Sequence, residues 1–341
     1  MTQYSAGIIG LGQIGLMYDF DPKREKPSSH TLAYELNYRV NLVVAADIQA
    51  EQREKLAQIA PNAEFYQDMN EMFRECPVDI ISICTPAIQH LSDIRSVLQI
   101  MRPKVIFCEK PLVSDLRQAL LLKEMLTQYQ CLVMPNLSRR WNLGMRHIRE
   151  QILCGLYGNL QKIHIRYTRG ILNTGSHLFD LLYWWVGSIE YVQTMNKVET
   201  SSENSGEPTF SFHFTIGNHI NGFAEGFDDE QYYLFEMDLY FAKGKIEVRN
   251  SGDDVFYYQV GEHHLFSGLN SLHLQRHESN LLAEANLGNA VEHIVRVLDG
   301  VELPICTADN GLYPLYVAEA LLQSYRNEGT IEKVVMPDSI R

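Results

Sequence analysis

The stretch AGIIGLGQIG, residues 6–15, decides the fold of the first part of this chain. Its apolar beginning predicts a buried strand, and the glycines that follow have the spacing GxGxxG. In such a turn the first glycine allows a tight bend, the second lets a phosphate approach the backbone, and the third lets a helix pack on the strand. The stretch therefore predicts the phosphate-binding turn of a dinucleotide site. Its predicted cofactor-binding residues are Gly10, Gly12, Gln13, Ile14 and Gly15.

The residues around this turn have the pattern of a doubly wound domain. Short apolar runs alternate with helical patterns, which is typical of a parallel sheet covered on both faces. We therefore predict an α/β domain over residues 1–136, a Rossmann-type NAD(P)-binding domain with a doubly wound parallel sheet. The predicted strands are residues 6–10, 42–47, 79–85, 105–109 and 132–136, and the predicted helices are residues 50–59, 88–100 and 115–128.

An acidic residue, Asp47, ends the second predicted strand, where it is placed to bind the ribose hydroxyls. It lies 32 residues after Gly15, whereas the usual spacing is about 20. The polar segment 19–28 (DFDPKREKPS) accounts for the excess as an insertion within or after the first helix. Asp47 would repel a 2′-phosphate, and no Lys or Arg follows it immediately. We therefore expect NAD rather than NADP.

The pattern changes after residue 136. A basic helical stretch at residues 139–154 and a helix at residues 175–185 accompany several strands without helices between them. In the strands at residues 209–216 and 235–241, apolar and polar side chains alternate, which predicts an antiparallel sheet with one buried face. The aromatic face of this sheet is predicted to be core or a subunit interface rather than a ligand platform.

We therefore predict a substrate-binding α+β domain over residues 137–341, with an open, mostly antiparallel sheet. Residues 201–208 are predicted to be an exposed loop. Two helical patterns, at residues 281–298 and 312–325, close the chain and can pack back on the first domain.

Composition excludes several classes of function. The 341 residues carry a formal net charge of −13, which argues against a nucleic-acid-binding protein and against an anionic membrane surface. No apolar run approaches the length of a membrane span. The six cysteines form no CxxC pair, and the first ten residues lack a signal-peptide pattern, so we expect a cytoplasmic protein. His273 and His277 lack an obvious acidic or cysteine partner, so no metal site is expected.

Four further segments, in order along the chain, resemble the Gfo/Idh/MocA family, named for glucose–fructose oxidoreductase and inositol dehydrogenase. They are TPAIQH at residues 85–90, EKP at residues 109–111, RRW at residues 139–141 and GSHLFD at residues 175–180. The resemblance extends over nearly the whole chain. It implies an NAD(P)-dependent oxidoreductase that acts on a sugar, polyol or sugar derivative, with the substrate between the two domains.

The resemblance also implies roles for individual residues. Lys110 matches the lysine that binds the reacting hydroxyl, and His177 matches the general acid/base. The implied cofactor contacts are Thr85, Pro86, His90, Glu109 and Lys110, and the implied substrate contacts are Arg140, Trp141, Asn173 and Asp180. Asn173 is a departure, because inositol-dehydrogenase-like members carry an acid at that position. An amide cannot accept a proton or supply charge, so the substrate should not be assumed to be inositol.

The chemistry of these residues supports the same roles. Oxidation of an alcohol needs a base near neutral pH, which suits His177, and an ammonium such as that of Lys110 can stabilise a developing alkoxide. Asp180 shares a helical face with His177 and either orients the imidazole or braces the helix. His30, at a helix start, either approaches the ligands or neighbours a helix cap. Without the family motif, His177 could equally well be a neighbour of a helix cap, and Lys110 could equally well be a surface charge.

The sequence leaves alternative functions open. One is a redox-neutral elimination, epimerisation or glycosidase reaction in which tightly bound NAD is oxidised and reduced transiently. Another is a non-catalytic dinucleotide sensor that regulates a partner protein. In each case we expect a small carbohydrate-like ligand and a homodimer or homotetramer formed through the C-terminal sheet.

Overall fold

A computed structural model describes residues 3–199, 207–217 and 219–336. These residues form two compact units. The first consists of residues 3–142 and Glu284–Leu312, and the second of the described residues within 143–283 and 313–336. The first unit thus extends beyond residue 136 and takes in one of the closing helices. The loop predicted at residues 201–208 lies outside the described residues except for its last two positions.

Strands and helices alternate in the first half of the chain, and strands predominate from residue 189 to residue 278. The strands are β1 (Tyr4–Ile9), β2 (Val40–Ala46), β3 (Glu64–Tyr66), β4 (Ile80–Ile83), β5 (Val105–Cys108), β6 (Leu132–Pro135), β7 (Leu160–Tyr167), β8 (Ile189–Val198), β9 (Thr209–Ile216), β10 (Ile220–Gly226), β11 (Phe235–Phe241), β12 (Gly244–Arg249), β13 (Asp254–Glu262), β14 (Asn270–Glu278) and β15 (Glu332–Lys333). The α-helices are α1 (His30–Glu35), α2 (Gln52–Ile59), α3 (Met69–Glu75), α4 (His90–Ile100), α5 (Leu116–Tyr129), α6 (Ser138–Trp141), α7 (Leu143–Leu153), α8 (Gly175–Val186), α9 (Asn286–Leu298) and α10 (Ala308–Arg326). None of these described helices is both long enough and apolar enough to cross a lipid bilayer.

The first unit contains a six-stranded parallel sheet with the order β3-β2-β1-β4-β5-β6. This is the doubly wound order. In sheets of this order, ligands bind beyond the carboxyl ends of the strands at the point where the strand order reverses, which here lies between β1 and β4. The predicted Rossmann sheet is confirmed. The sequence analysis missed β3 and α3, because a strand of three residues is too short to show a periodic pattern.

The core of the first unit is formed by the apolar strands and by helices on both faces. Ile8, Ile80 and Phe107 are fully buried in neighbouring strands. Helix α9 packs against α1 and α6 and buries Val291 and Ile294 in the same core. This closing helix therefore belongs to the first unit, although it follows the second unit's strands in the chain.

The second unit contains a nine-stranded sheet with the order β14-β13-β12-β11-β7-β10-β9-β8-β15. Strands β7 and β10 pair in parallel, and the other neighbours are antiparallel, so the predicted mostly antiparallel sheet is confirmed. The aromatic residues predicted to share one face are core. Phe212 of β9 is buried, and its ring centroid lies 6.1 Å from that of Phe179 in α8.

The opposite face of this sheet carries a cluster of ion pairs, which we call the outer-face charge cluster. Asp238 is almost fully buried within it, with Oδ2 2.7 Å from Nη2 of Arg166 and Oδ1 2.8 Å from Nη2 of Arg249. The cluster has equal numbers of acidic and basic groups, so its formal charge is zero. Its members are Arg166, Glu236, Asp238, Lys245, Glu247 and Arg249.

Candidate active site

The glycine turn after β1 has the geometry that its spacing predicts. Gly10 has a φ of +87°, and a Cβ there would lie 2.7 Å from the backbone carbon of Cys84. A Cβ on Gly15 would overlap the carbonyl oxygen of Gly10. A Cβ on Gly12 would meet no atom within 4 Å, so this side of the turn is open to a ligand. The first and third glycines thus serve the close packing of the turn, and the second lies at the open side.

The segment after Gly15 does not form a continuous helix. The chain forms a short 3₁₀ helix over Met17–Phe20 and then a loop. The buried carboxylate of Asp19 closes this loop, because it accepts hydrogen bonds from the backbone N–H groups of Ser28 at 2.8 Å and Ser29 at 2.7 Å. Ser29 then caps α1, since its side chain accepts a hydrogen bond from the N–H of Leu32.

Helix α1 continues from the glycine turn as though the loop were absent. His30 N–H donates to the carbonyl of Ile14, and Thr31 N–H donates to that of Gly15. The partners in each pair are 16 residues apart instead of the 4 of an α-helix, so the chain carries 12 inserted residues. Without them Asp47 would follow Gly15 by 20 residues instead of 32, which is the usual spacing of about 20. The insertion predicted at residues 19–28 therefore accounts for ten of these 12 residues and for most of the displacement of Asp47.

Asp47 lies beside the glycine turn at the end of β2. Its Oδ2 accepts a hydrogen bond from the N–H of Leu11 at 2.6 Å, and its Oδ1 accepts one from the N–H of Gln49 at 2.8 Å. The carboxylate is half-buried and still lines a cleft. It therefore joins the phosphate-binding turn to the end of the neighbouring strand.

This cleft has a volume of about 860 Å³ and lies at the carboxyl ends of β1, β2 and β4. Its walls include Gly10, Gly12, Gln13, Ile14, Tyr18, Asp47, Gln49, Asp68, Thr85, Pro86 and Gln89. No Lys or Arg is among the described residues that line it. An open glycine turn, a carboxylate at the end of the second strand and a cleft at the switch point are the features expected of a dinucleotide site.

A buried hydrogen-bond network lies beneath the end of β5. His30 is fully buried, with Nε2 2.9 Å from Oε1 of Glu109 and Nδ1 2.8 Å from Oγ of Ser82. The hydroxyl of Tyr34 lies 2.6 Å from the same Ser82 oxygen. Each of these polar atoms thus has a partner within hydrogen-bond distance. We call this set the His30 network.

The His30 network holds Glu109 as an anion. Oε1 of Glu109 also accepts a hydrogen bond of 2.5 Å from the side-chain amide of Asn136, at the end of β6. Burial by itself raises the pKa of the Glu109 carboxyl group. The hydrogen bonds from His30 and Asn136 and the positive charge of Lys110 outweigh this effect, and the pKa lies below its usual value. The residue next to Lys110 is therefore a fixed, ionised carboxylate.

His90 connects the chain segments that follow β4 and β5. Its Nε2 lies 2.7 Å from the carbonyl oxygen of Thr85, and its Nδ1 lies 2.8 Å from that of Pro111. The ring is buried and is not among the residues that line the cleft. His90 thus joins the backbone after β4 to the residue that follows Lys110, and it does not line the cleft.

A buried carboxylic acid, Asp93, also faces the cleft. Burial raises its pKa, and a 2.5 Å hydrogen bond from the Thr85 hydroxyl opposes this effect only in part. Thr85 therefore presents its hydroxyl to Asp93 and its carbonyl to His90. The predicted cofactor residue Thr85 is held in place from both sides.

Arg140 and Trp141 are buried within the first unit. The indole N–H of Trp141 donates to Asn136 at 2.8 Å, and its ring packs against Phe107 and His293. Arg140 donates to the carbonyl of Ile305 at 2.7 Å. The resemblance implied substrate contact for both residues. Both residues are instead buried. Trp141 is a core residue that orients Asn136, and we propose no substrate contact for it.

In the second unit, His177 is the third residue of α8 and is half-buried. Asp180 lies one turn further on and is buried. It is close enough to Tyr313 to add to the increase in that phenol's pKa, which burial mainly causes. Asn173 is exposed in a π-type turn over Gly170–Thr174, directly before α8.

The strands carry two other histidine pairs elsewhere. His273 and His277 lie in β14 and not on a helix, and the ring of His277 contacts Asp254. His263 and His264 stack on each other just after β13.

Comparison with known families agrees with this geometry. Residues 4–137 match the Gfo/Idh/MocA model, which is described as an oxidoreductase family with an NAD-binding Rossmann fold. Residues 4–137 of the chain are therefore similar to the NAD-binding Rossmann domain of this oxidoreductase family.

A curated relative and two solved structures illustrate the similarity. The rhizopine catabolism protein MocA of Rhizobium meliloti is 24% identical over 201 residues, which are 55% of this chain and 58% of that protein. The chain thus matches less than two-thirds of this relative's length. The WlbA dehydrogenase of Bordetella pertussis, solved with NADH and UDP-GlcNAcA, has a TM-score of 0.78 at 17% identity and covers 98% of this chain and 99% of its own. A putative myo-inositol dehydrogenase of Sinorhizobium meliloti has a TM-score of 0.75 at 17% identity, with 97% and 99% covered. At such identities the likeness shows a shared fold along nearly the whole chain.

Several residues of the first unit were missed or left open from the sequence. Asn136 was not singled out, although it follows β6 directly, just as Glu109 follows β5. Neighbouring parallel strands end at one edge of a sheet, so this shared position was a usable signal. Asp93 gave no signal, because its burial depends on how α4 packs. His30 neither lines the cleft nor merely neighbours a cap, since it binds Glu109.

Proposed function

We propose that this protein is an NAD-dependent dehydrogenase or reductase that acts on a CH–OH or keto carbon of a sugar, polyol or nucleotide-sugar. The main support is the cleft at the switch point, together with the ionised Glu109 held beside Lys110. The nicotinamide ring, when bound, supplies the hydride acceptor or donor. The protein's own residues then have to bind the substrate and move one proton.

We propose Lys110 and His177 as the two groups that handle this proton. Lys110 follows β5, so it lies at the ligand-binding edge of the sheet, and its ammonium can hold a developing alkoxide. The adjacent Glu109 carboxylate is an anion, and the positive charge of Lys110 is one of the causes that lower its pKa. His177 can accept the hydroxyl proton because an imidazole titrates near neutral pH. Asp180 and Asn173 flank it as candidate substrate contacts.

We propose NAD rather than NADP as the cofactor. Asp47 ends the second strand and lines the cleft, which is the position expected for a residue that binds the ribose hydroxyls, and no Lys or Arg is found among the cleft-lining residues that the structure describes. A 2′-phosphate would therefore meet a carboxylate and no cation.

The proposed substrate class rests on the relatives. One similar structure contains a nucleotide-sugar with NADH, and another is named for an inositol. Asn173 stands in place of an acid in this chain, which removes a proton acceptor at that point. We therefore favour a sugar or nucleotide-sugar over inositol itself.

The test measures nicotinamide absorbance with NAD and a panel of polyols, free sugars, sugar acids and nucleotide-sugars. We expect sustained turnover with one class of compound, and loss of kcat by a factor of about 10² or more in Lys110→Ala with unchanged dinucleotide affinity. Lys104→Ala is the matched control, because Lys104 precedes the same strand at its opposite end and pairs with Asp79. A brief, sub-stoichiometric signal would indicate a redox-neutral reaction with retained cofactor. Dinucleotide binding without any turnover would favour a sensor, and near-normal activity in Lys110→Ala would contradict its role.

We also propose that two copies associate through the face that carries the outer-face charge cluster. The whole chain has a net charge of −13, which opposes self-association, whereas this cluster is neutral. Sedimentation velocity at micromolar concentration should give a dimer or tetramer. A purely monomeric profile would reject the proposal.

We propose a cytoplasmic location because all six cysteines are free thiols. Cell fractionation with an antibody or tag should find the protein in the cytoplasmic fraction, and recovery from an oxidising compartment would contradict this.

A further inference from the structure

Four consecutive backbone N–H groups lead into helix α8, and three residues from a distant part of the chain satisfy all of them. Gly170 N–H donates to the hydroxyl oxygen of Thr209 at 3.0 Å, and the N–H of residue 171 donates to the carbonyl of Pro208 at 3.1 Å. The N–H groups of the next two residues, Leu172 and Asn173, both donate to Oε2 of Glu207, at 2.5 and 3.1 Å. One carboxylate oxygen thus holds two adjacent amides.

The backbone of this turn is shaped around the Glu207 side chain. Gly170 has a φ of +77°, and a Cβ there would lie 2.6 Å from Cδ of Glu207. A residue with a side chain would therefore displace the carboxylate as well as strain the backbone. The backbone of the turn itself thus forms the binding position of the Glu207 carboxylate.

The same turn determines where His177 stands. It ends at Thr174, and α8 begins at the next residue, so His177 lies in the first turn of α8. The hydroxyl of Ser176 also donates to the carbonyl of Asn173 at 2.8 Å and ties the helix to the turn. A displacement of residues 172 and 173 would therefore move the imidazole.

A carboxylate at this turn also bears on the protonation of His177, together with Asp180, the acid one turn further along α8. The N-terminus of a helix carries a partial positive charge, which disfavours a protonated imidazole in the first turn. An anion at the start of the turn offsets that charge and favours protonation. Asn173 stands where inositol-dehydrogenase-like relatives have an acid, and Glu207 brings a carboxylate to its backbone.

We propose that Glu207 is a positioning residue for His177, and that its carboxylate supplies the negative charge that Asn173 does not. This inference rests on the proposed function only for its effect on turnover. The effect of Glu207 on the protonation of His177 can be measured without any substrate.

The experiment follows the titration of imidazole C–H signals by NMR in the full-length protein with labelled histidine. The His177 signal is assigned as the one missing in His177→Asn. In Glu207→Gln, which keeps the shape and one acceptor oxygen, we expect the His177 titration midpoint to fall by about 0.5 pH unit. Glu225→Gln is the control, because Glu225 is an exposed glutamate in the same unit, and it should leave the midpoint unchanged.

Activity provides the second measurement. Glu207→Gln should move the acidic limb of kcat/KM to lower pH, and Glu207→Ala, which also loses the backbone contacts, should lower kcat by a further factor of about 10. Dinucleotide affinity should stay unchanged in both variants. An unchanged His177 midpoint in a folded Glu207→Gln variant would overturn the inference. A shifted midpoint in a protein that turns over no substrate would instead uphold it and contradict the proposed dehydrogenase.

Discussion

Nε2 of His30 lies 2.9 Å from a carboxylate oxygen of Glu109, although 79 residues separate the two in the chain. The contact joins the helix after the glycine turn to the residue that precedes Lys110. It therefore links the segment predicted to bind the cofactor phosphates to the segment proposed to bind the reacting hydroxyl.

Removal of this contact should destabilise the protein. In His30→Ala the buried Glu109 carboxylate loses a hydrogen bond, and the free energy of unfolding should fall by about 2–4 kcal/mol in urea denaturation. His277→Ala is the matched control, because His277 also lies 2.9 Å from a carboxylate, that of Asp254, but its side chain is 42% exposed. The control should lose less than about 1 kcal/mol. Equal losses in the two variants would show that burial does not increase the contribution of the His30 contact to stability.

The pH dependence of stability should contain a contribution from Glu109. The pKa of its carboxyl group is lower in the folded protein than in the unfolded chain, so its contribution is complete above about pH 4.5 and is lost as the pH falls through the folded-state pKa. Between these two values the unfolded chain binds more protons, and stability rises with pH. In Glu109→Gln this slope should be smaller by up to about 1.4 kcal/mol per pH unit. Urea denaturation from pH 3 to pH 6 measures it, and parallel curves for wild type and variant would contradict the assignment.

Asp47 should determine the choice of dinucleotide. In Asp47→Asn the amide oxygen can still accept a backbone hydrogen bond, whereas the repulsion of a 2′-phosphate is lost. The ratio of the Kd for NADP to that for NAD should fall by a factor of about 10 or more in titration calorimetry. Asp115→Asn, which changes the cap of α5 outside the cleft, should leave the ratio unchanged. An unchanged ratio in Asp47→Asn would show that this carboxylate does not contact the ribose.

Two glycines of the turn should respond differently to a single methyl group. Gly15→Ala should lower the free energy of unfolding by about 2 kcal/mol or more, because its Cβ would overlap the carbonyl of Gly10. Gly12→Ala should fold with nearly normal stability, because its Cβ meets nothing within 4 Å, but should bind dinucleotide at least about tenfold more weakly. Thermal unfolding and calorimetric titration distinguish the two outcomes. Tight binding by Gly12→Ala would place the phosphates elsewhere.

The inserted loop should depend on Asp19. In Asp19→Ala the N–H groups of Ser28 and Ser29 lose their buried acceptor, and the free energy of unfolding should fall by about 2 kcal/mol. Asp21→Ala in the same loop removes an exposed ion pair with Arg24 and an exposed hydrogen bond from the N–H of Lys23, and it should cost less than about 1 kcal/mol. Because α1 follows this loop, a substitution of His30 should lower the free energy of unfolding less in the Asp19→Ala background than in the wild-type protein. Additive losses would indicate that the loop does not position α1.

Local spacing and periodicity in the sequence were sufficient for the Rossmann sheet, the glycine turn and the position of Asp47. A GxGxxG turn, an apolar strand and a strand-end acid depend on short-range geometry, which recurs wherever the same residues have the same order. Even the displaced Asp47 could be explained from composition, because a polar run of the right length separates it from the turn. In the second unit, period-two alternation was likewise sufficient to place Phe212 on a buried face.

The tertiary structure decided which side chains meet. Glu109 contacts His30 and Asn136 only because α1, β5 and β6 are neighbours in the fold, and Glu207 reaches Asn173 only because β9 begins beside the π-type turn. Trp141 belongs to a motif associated with substrate, yet it is buried against Phe107. Such contacts join residues far apart in the chain, and no spacing rule specifies them. The sequence by itself therefore determined the fold class and the ligand-binding edge of the sheet, and the packing of distant segments decided the surroundings of the candidate site.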